Sequence, residues 1–167
     1  WAAAQVGGPL FDLHVHDAPH VRLLFGMPVS VHSRGRTHNG LPEHWHSQFD
    51  YGPDGPIVSA VSGTIAQQGR PFNHGVEIHL GRATLLLEFA VLGEAGRYLC
   101  PPTVLHEDGR AEEVSLGDGD PMHAFEAELR TVVDCVRKNQ ESDVLGGALA
   151  RDAVALCQMQ ADSIAAS

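Results

Sequence analysis

The sequence predicts an α+β domain, in which helices pack on one face of a mostly antiparallel open sheet. Three observations lead to this prediction. Segments with strand-like alternation fill the middle of the chain and are separated by short turn sequences. Helical periodicity is confined to a stretch near the start and two stretches at the end. Strands joined by hairpins run antiparallel, so the helices are left to cover the sheet from one side.

The first predicted element is a short helix from Leu13 to Phe25. Pro19 is tolerated only in the first turn of a helix, which indicates Asp17 as the N-cap residue. The alternative is a helix that begins earlier and is kinked at Pro19. Both alternatives let Asp12 and His16 point into the same space.

Strands follow, because apolar and polar residues alternate through the middle of the chain. Turn sequences at Gly52–Pro56, Gly81–Ala83 and Glu107–Arg110 predict three hairpins, and residues 91–97 are predicted to form a turn. The triplet His44-Trp45-His46 is predicted to lie in a polar loop. The predicted strands are 29–34, 47–51, 57–67, 76–80, 84–89, 98–106 and 112–116.

Two long helices close the predicted fold, the first from Pro121 to Lys138 and the second from Ala148 to Ile164. The first carries an apolar face, because its apolar residues recur at helical spacing. Cys135 and Cys157 lie in these helices and are predicted to be buried thiols. The residues of the apolar face are Phe125, Leu129, Val132, Val133 and Val136.

Size and charge narrow the function classes. The 167 residues suit one domain, and the formal net charge of −10 argues against binding to nucleic acid or to an anionic membrane. No apolar run is long enough to span a bilayer, and the three cysteines form no CxxC pair. We expect a reducing, cytoplasmic location. The start at Trp1, with neither an initiator Met nor a basic signal region, suggests a fragment of a longer protein.

The chemistry-bearing residues concentrate near the start, where Asp12, His14 and His16 fall within five residues. A carboxylate with imidazoles can move protons near neutral pH, hold a sugar hydroxyl or bind a metal. Downstream, Trp45 could stack on a sugar ring while His46 donates a hydrogen bond. His14, Trp45 and His46 are therefore predicted to bind substrate.

The order of these residues resembles a known family. Asp12-xxx-His16-Asp17, followed by Arg22-xxx-Gly26-x-Pro28-Val29, is similar to the start of the C-terminal domain of Gfo/Idh/MocA oxidoreductases, the glucose–fructose oxidoreductase and inositol 2-dehydrogenase family. The resemblance continues in Gly75–Leu85 and in Phe125-xxx-Leu129-xxx-Val133. It implies an α+β substrate domain of an enzyme that transfers hydride between NAD or NADP and a sugar, cyclitol or related polyol.

The resemblance also implies roles and partners. His16 would be the general base at the substrate hydroxyl, or would assist a lysine base, and Asp12 would orient substrate and imidazole. The dinucleotide and the catalytic lysine would belong to an N-terminal Rossmann domain absent from this chain, so residues 1–167 alone should be inactive. Homo-oligomers would form through the open sheet face. Two positions depart from the family: His14 stands where glycine is frequent, and Pro19 where a second aspartate is frequent.

Two other classes remain open on the residues alone. The histidine pairs could form the metal site of a hydrolase or cupin-like protein, although a cupin would need Glu shortly after His16 and an amidohydrolase would need a larger barrel. The third alternative is an interaction module without chemistry. We expect no stoichiometric metal, because no third close ligand is fixed by the sequence.

Overall fold

The computed structural model describes residues 6–167, so the Trp1 start lies outside the described residues. Two compact units are present, residues 6–64 with Glu126–Ser167, and Ile65–Phe125. Helices flank antiparallel strands, which confirms the predicted α+β class. In chain order the elements are α1 (Pro9–Asp12), a 3-10 turn (His14–His16), α2 (Ala18–Phe25), β1 (Ser30–His38), β2 (Leu41–Asp50), β3 (Val58–Gly63), β4 (Phe72–His79), β5 (Ala83–Leu92), β6 (Ala95–His106), β7 (Ala111–Glu113), α3 (Pro121–Lys138) and α4 (Gly147–Ala165).

The first unit is built on the antiparallel sheet β1-β2-β3, and α4 packs against both this sheet and α2. The middle strand β2 has the period of two that a half-buried strand requires. Trp45, Ser47 and Phe49 are buried, while the residues between them face solvent. The core comprises Leu10, Ala18, Val31, Trp45, Phe49, Val58, Ala153, Leu156, Cys157 and Ile164.

A tight hairpin sets the register of β1 and β2. Asn39 and Gly40 have φ angles of 51° and 78°, the left-handed conformation that two-residue hairpin loops need. Across the ladder Gly35 faces Trp45, where an added Cβ would lie 2.6 Å from the Trp45 Cβ. Glycine at position 35 therefore allows β1 and β2 to approach closely at Trp45. The predicted polar loop around Trp45 is wrong, because this residue lies inside β2.

A chain of buried polar groups crosses from α4 to the sheet. Gln160 Oε1 accepts hydrogen bonds from Ser47 Oγ at 2.7 Å and from Trp45 Nε1 at 3.3 Å. Ser47 is also bonded to Ser33, with 2.6 Å between the two hydroxyl oxygens. The backbone N–H of Ser33 donates to Ser163 Oγ at 2.8 Å. These bonds satisfy polar groups that would otherwise be costly to bury.

The second unit is the antiparallel sheet β4-β5-β6-β7, so the strands divide between two sheets where the sequence predicted one. The predicted hairpins over Gly81–Ala83 and Glu107–Arg110 are confirmed. The predicted turn over residues 91–97 is wrong in extent, since Leu92 already pairs with Ala95. One face carries a cluster of rings whose neighbouring centroids lie 5.5–6.4 Å apart: Phe72, His74, Phe89 and Tyr98.

The helix α3 has the predicted bounds to within a residue, but its apolar face is largely exposed. Leu129 is 66% exposed and Val136 is 75% exposed. Cys135 is half-buried rather than buried as predicted, whereas Cys157 on α4 is buried. Among residues 6–167, no helix combines the length and apolarity that crossing a membrane demands.

An ion pair joins α2 to α4 in the first unit. Arg22 Nε lies 2.7 Å from Asp152 Oδ2, and Arg151 Nη2 lies 2.7 Å from Asp152 Oδ1. The hydrogen bond from Arg22, with a second contribution from Arg151, holds the pKa of Asp152 below its ordinary value. A carboxyl whose pKa is lowered by folding stabilises the fold above its unfolded pKa, and this contribution is lost as pH falls.

We therefore expect Asp152→Asn to flatten the acid limb of the stability curve. The wild-type chain should lose stability as pH falls through about 4, near the pKa of an unfolded aspartate, and the variant should lose less. Urea unfolding at a series of pH values measures this. Asp54→Asn, in an exposed turn, is the matched control. Equal pH slopes for the wild type and Asp152→Asn would contradict the prediction.

Candidate active site

The segment that carries the predicted catalytic residues winds as two short turns before α2. Gly7 and Gly8 have φ angles of 79° and 77°, which bring the chain sharply into α1. Asp12 ends α1, and the 3-10 turn follows it directly. Asp17 occupies the predicted N-cap position of α2, with Pro19 in the first turn, although no side-chain capping bond forms. The approach to α2 from Pro9 to His16 is thus wound into two short turns.

His14 is the fixed point of this segment. Its side chain is buried, and Nδ1 lies 2.8 Å from Ser62 Oγ on β3 and 3.4 Å from Asp17 Oδ2. The ring packs edge-on to Trp45, with centroids 5.8 Å apart. Within the described residues, His14 Nε2 is buried without a hydrogen-bond partner. Because a carboxylate only accepts, its nearness favours the tautomer with the proton on Nδ1.

Asp12 and His16 flank this anchor and are more accessible. The Asp12 side chain is half-buried, and the His16 side chain is exposed. The His16 carbonyl accepts a hydrogen bond from His20 Nδ1 at 3.1 Å, which ties the turn to α2. Among residues 6–167, no hydrogen bond or ion pair joins the Asp12 carboxylate to the His16 ring. The carboxylate and the imidazole are close in sequence, and each is accessible to a bound molecule.

The predicted substrate-binding residues do not converge on one surface. Trp45 is 1% exposed, and its indole N–H is already bonded to Gln160. His46 lies on the opposite face of β2, directly across from Arg34 of β1. Only His14 lies with Trp45 on the inner side of the sheet. The role of these residues in substrate binding stays a prediction.

Two residues that the sequence analysis missed support the segment, Ser62 and Gln160. Ser62 pairs with Trp45 across β2 and β3, which places it beside His14. A serine inside a strand gives no signal of this kind in the sequence. Gln160 does give one, because Leu156, Gln160 and Ile164 are spaced four apart and so share the buried face of α4. A polar residue on such a face indicates a buried partner.

Cysteine chemistry is unfavourable beside this segment. Burial, together with a smaller contribution from the negative charge of Asp17, raises the pKa of the Cys157 thiol to about 11. The thiol is therefore protonated at neutral pH and is a poor nucleophile. Burial also raises the pKa of Tyr51, partly opposed by the charge of Arg22. These shifts leave carboxylate and imidazole as the groups suited to proton transfer.

No metal site is assembled among the described residues, where no three His, Cys, Asp or Glu side chains are arranged to hold an ion. The histidines that suggested a metal fall on different faces. His14 is on the inner side of the first sheet, whereas His44 and His46 are on its outer side.

The part of the chain that the structure describes contains no Rossmann-type dinucleotide site. All strand pairs found in residues 6–167 are antiparallel. Dinucleotide-binding sites of the Rossmann type need a parallel βαβ unit with a glycine-rich loop before the helix. The sequence has no GxGxxG followed by a helix.

Comparison with known proteins shows the fold. No family model and no curated protein matches the chain. Among solved structures, it is similar to YvaA of Bacillus subtilis, a protein assigned as an oxidoreductase, with 13% identity and a TM-score of 0.55. A second protein so assigned, from Klebsiella pneumoniae, has 15% identity and a TM-score of 0.62. An oxidoreductase from Agrobacterium radiobacter, solved with NAD+, L-tartaric acid and magnesium, has 14% identity and a TM-score of 0.59.

These matches cover nearly all of this chain but only part of the neighbours. They include 92% of the chain in the first comparison and 96% in the other two. The chain spans about half the length of the solved structures it matches, 47–48%. The chain therefore shares its fold with part of each of these structures, in agreement with the predicted α+β class.

We expect Ser62→Ala to destabilise the first unit by about 1–3 kcal/mol, because it leaves His14 Nδ1 without its closest partner in a buried setting. Urea unfolding of the purified chain measures the loss. Ser59→Ala is the control, since Ser59 is exposed on the same strand. If both variants unfold at the wild-type midpoint, the anchoring role of Ser62 is wrong.

Proposed function

We propose that this chain is the substrate-binding and catalytic C-terminal domain of an NAD(P)-dependent oxidoreductase of the Gfo/Idh/MocA type. Its substrate would be a sugar, a cyclitol or a related polyol. One observation carries the proposal. The bond between buried His14 and Ser62 anchors the segment to β3, while the His16 imidazole stays exposed. The likeness of the fold to oxidoreductases over almost the whole chain supports it.

In the proposed alcohol oxidation, hydride transfer and proton transfer are assigned to two different domains. A hydride leaves the carbon while the hydroxyl loses its proton, and the NAD(P) of the separate domain supplies the hydride acceptor. This chain contributes the proton chemistry. The His16 imidazole accepts the hydroxyl proton, and the Asp12 carboxylate accepts a hydrogen bond from a neighbouring substrate hydroxyl or from the imidazole. The ketone is released, and the proton passes from His16 to solvent, which the exposed ring reaches.

The dinucleotide-binding domain lies outside this chain in the proposal. The neighbours are about twice as long, and one of them is described with NAD+. The single lysine, Lys138, lies at the C-terminus of α3, away from the Asp12–His16 segment in sequence, so a catalytic lysine would also come from the other domain. We expect the 167-residue chain to lack activity and the longer protein to bind NAD(P).

In the longer protein, we expect His16→Ala to lower kcat by about 10²–10⁴, the usual contribution of a general base. Reduction of NAD(P) measured against a panel of polyols is the assay, with purified enzyme of confirmed cofactor occupancy. His38→Ala, at the exposed end of β1, is the control and should keep most of the activity. Unchanged turnover in His16→Ala would move the proton chemistry to another residue.

We further propose that copies of the chain associate through the ring-bearing face of the second unit. Phe72, Val76 and Tyr98 lie on this face and are each about half exposed, at 50–51%. Exposed apolar patches of this kind mark interaction sites. An antiparallel sheet can pack a second apolar sheet about 10 Å away, which would bury the face completely.

We expect Val76→Lys to shift the chain toward the monomer, because a charge would be buried in the contact. Glu77→Lys is the matched control, since adjacent strand residues point to opposite faces. Light scattering after size exclusion gives the mass. The association face is elsewhere if both variants keep the wild-type mass.

A further inference from the structure

A cavity of about 250 Å³ lies on the outer face of the first sheet, between strands β1 and β2 and the loop that joins β2 to β3. Its volume is just below the roughly 300–1,000 Å³ of pockets that hold drug-sized ligands, so it suits a smaller molecule of about monosaccharide size. The residues that give the cavity its character are His32, Gln48, Asp50, Tyr51, Pro56 and Ile57.

The floor of the cavity offers both donors and acceptors of hydrogen bonds. His32 on β1 lies directly across from Gln48 on β2, and both side chains face solvent. The Asp50 carboxylate is held in place, because Oδ1 accepts from the Gly52 backbone N–H at 2.7 Å and Oδ2 lies 3.4 Å from Ser30 Oγ. Each carboxylate oxygen can accept a second bond, while the carboxamide and a neutral imidazole both donate and accept. This set of groups suits the hydroxyls of a ligand.

The walls of the cavity are apolar and partly fixed. The Tyr51 hydroxyl donates to the Gly26 carbonyl at 3.3 Å, and its ring centroid lies 6.1 Å from that of Phe25. Ile57 is 93% exposed, so a ligand that covers it removes apolar surface from water. A carbon skeleton that carries hydroxyls on one side and C–H groups on the other matches this combination of floor and wall.

An arginine without a carboxylate partner stands next to the cavity. Arg34 is two residues beyond His32 on the same face of β1, a distance of about 6–7 Å along a strand, and lies directly across from His46. Among residues 6–167 it forms no ion pair, whereas Arg36 Nε lies 2.8 Å from Glu43 Oε2. A guanidinium binds phosphate or carboxylate through two parallel N–H bonds. In a chain of net charge −10, this position favours an anionic group locally.

We propose that this face binds a small hydroxylated anion, a sugar phosphate or a sugar acid. Its hydroxyls occupy the cavity floor, and its anionic group lies against Arg34 and His46. The site is distinct from the Asp12–His16 segment, because His14 is on the inner side of the same sheet. Binding here is therefore independent of the proposed oxidation and can be measured with the 167-residue chain.

The test is calorimetric titration of the chain with glucose 6-phosphate and with gluconate, which represent the two kinds of anion. Glucose and inorganic phosphate are titrated as the separate halves of the ligand. At least one of the two hydroxylated anions should bind once per chain, and each half should bind about tenfold more weakly or less. In nuclear magnetic resonance spectra, the same titration should shift the amide signals of His32, Arg34 and Gln48.

Two variants locate the contacts. Arg34→Gln should weaken binding of the anion about tenfold, because it removes a charge-assisted hydrogen bond. Asp50→Asn should weaken binding as well, since the carboxylate accepts from a ligand hydroxyl. Arg97→Gln is the matched control and should bind like the wild type. Arg97 is likewise exposed, lies on β6 of the second unit and has no ion-pair partner in the described part of the chain. Urea midpoints show that each variant is folded.

Three results would overturn the proposal. The first is that neither glucose 6-phosphate nor gluconate binds or shifts the three amide signals. The second is that inorganic phosphate binds as tightly as glucose 6-phosphate, which would reduce the site to a bare positive charge. The third is that Arg34→Gln binds like Arg97→Gln. Dimers of the chain that Arg34→Gln dissociates, with no ligand bound, would assign this face to a second copy and also overturn it.

Discussion

One carboxamide oxygen, Oε1 of Gln160, ties the last helix to the middle strand of the first unit. It accepts from Ser47 and from Trp45, two donors that are themselves buried. Leaving either donor unpaired would cost about 1–3 kcal/mol, a sizeable part of the stability of a domain this size. The bonds also give α4 a fixed register on the sheet, because only one position along the helix satisfies both. Apolar contacts alone would tolerate sliding.

The same contact reaches the candidate active site through the indole. Trp45 is held by Gln160 on one side and packs edge-on to His14 on the other. His14 in turn is held by Ser62, so a helix and two strands converge on one imidazole. A proton acceptor is useful only if its place is fixed to within a fraction of an ångström. Buried His14 thereby anchors the turn on which exposed His16 lies.

The sequence predicted the fold class because its periodicities are clear, but it placed Trp45 wrongly. The residues around Trp45 are mostly polar, a composition that is typical of a loop. Asn39-Gly40 is the strongest short hairpin signal in that region and argues for strands on both sides. The alternation is also present, since Trp45, Ser47 and Phe49 face inward. Ser47 makes the alternation hard to recognise, because a polar residue stands at an inward position. Its burial depends on hydrogen bonds to Ser33 and Gln160, which are distant in sequence.

The candidate site was predictable only in part for a similar reason. Asp12, His14 and His16 stand together in the sequence, so their proximity follows from the chain itself. Which histidine is buried depends on β3, whose Ser62 is 48 residues away. The exposure of the apolar face of α3 could not be predicted either. Periodicity shows that a helix has an apolar face, but not whether an element of the same chain covers it.

The edge-on contact between Trp45 and His14 gives the protein a built-in optical reporter. Indole emission depends on the polarity around the ring, and a neighbouring imidazole can quench it. The chain has one other tryptophan, Trp1, and replacing that residue would leave a single emitter in the first unit. The remaining fluorescence would then report on the contact between Trp45 and His14. Unfolding of the first unit could then be followed by intrinsic fluorescence, without an attached dye.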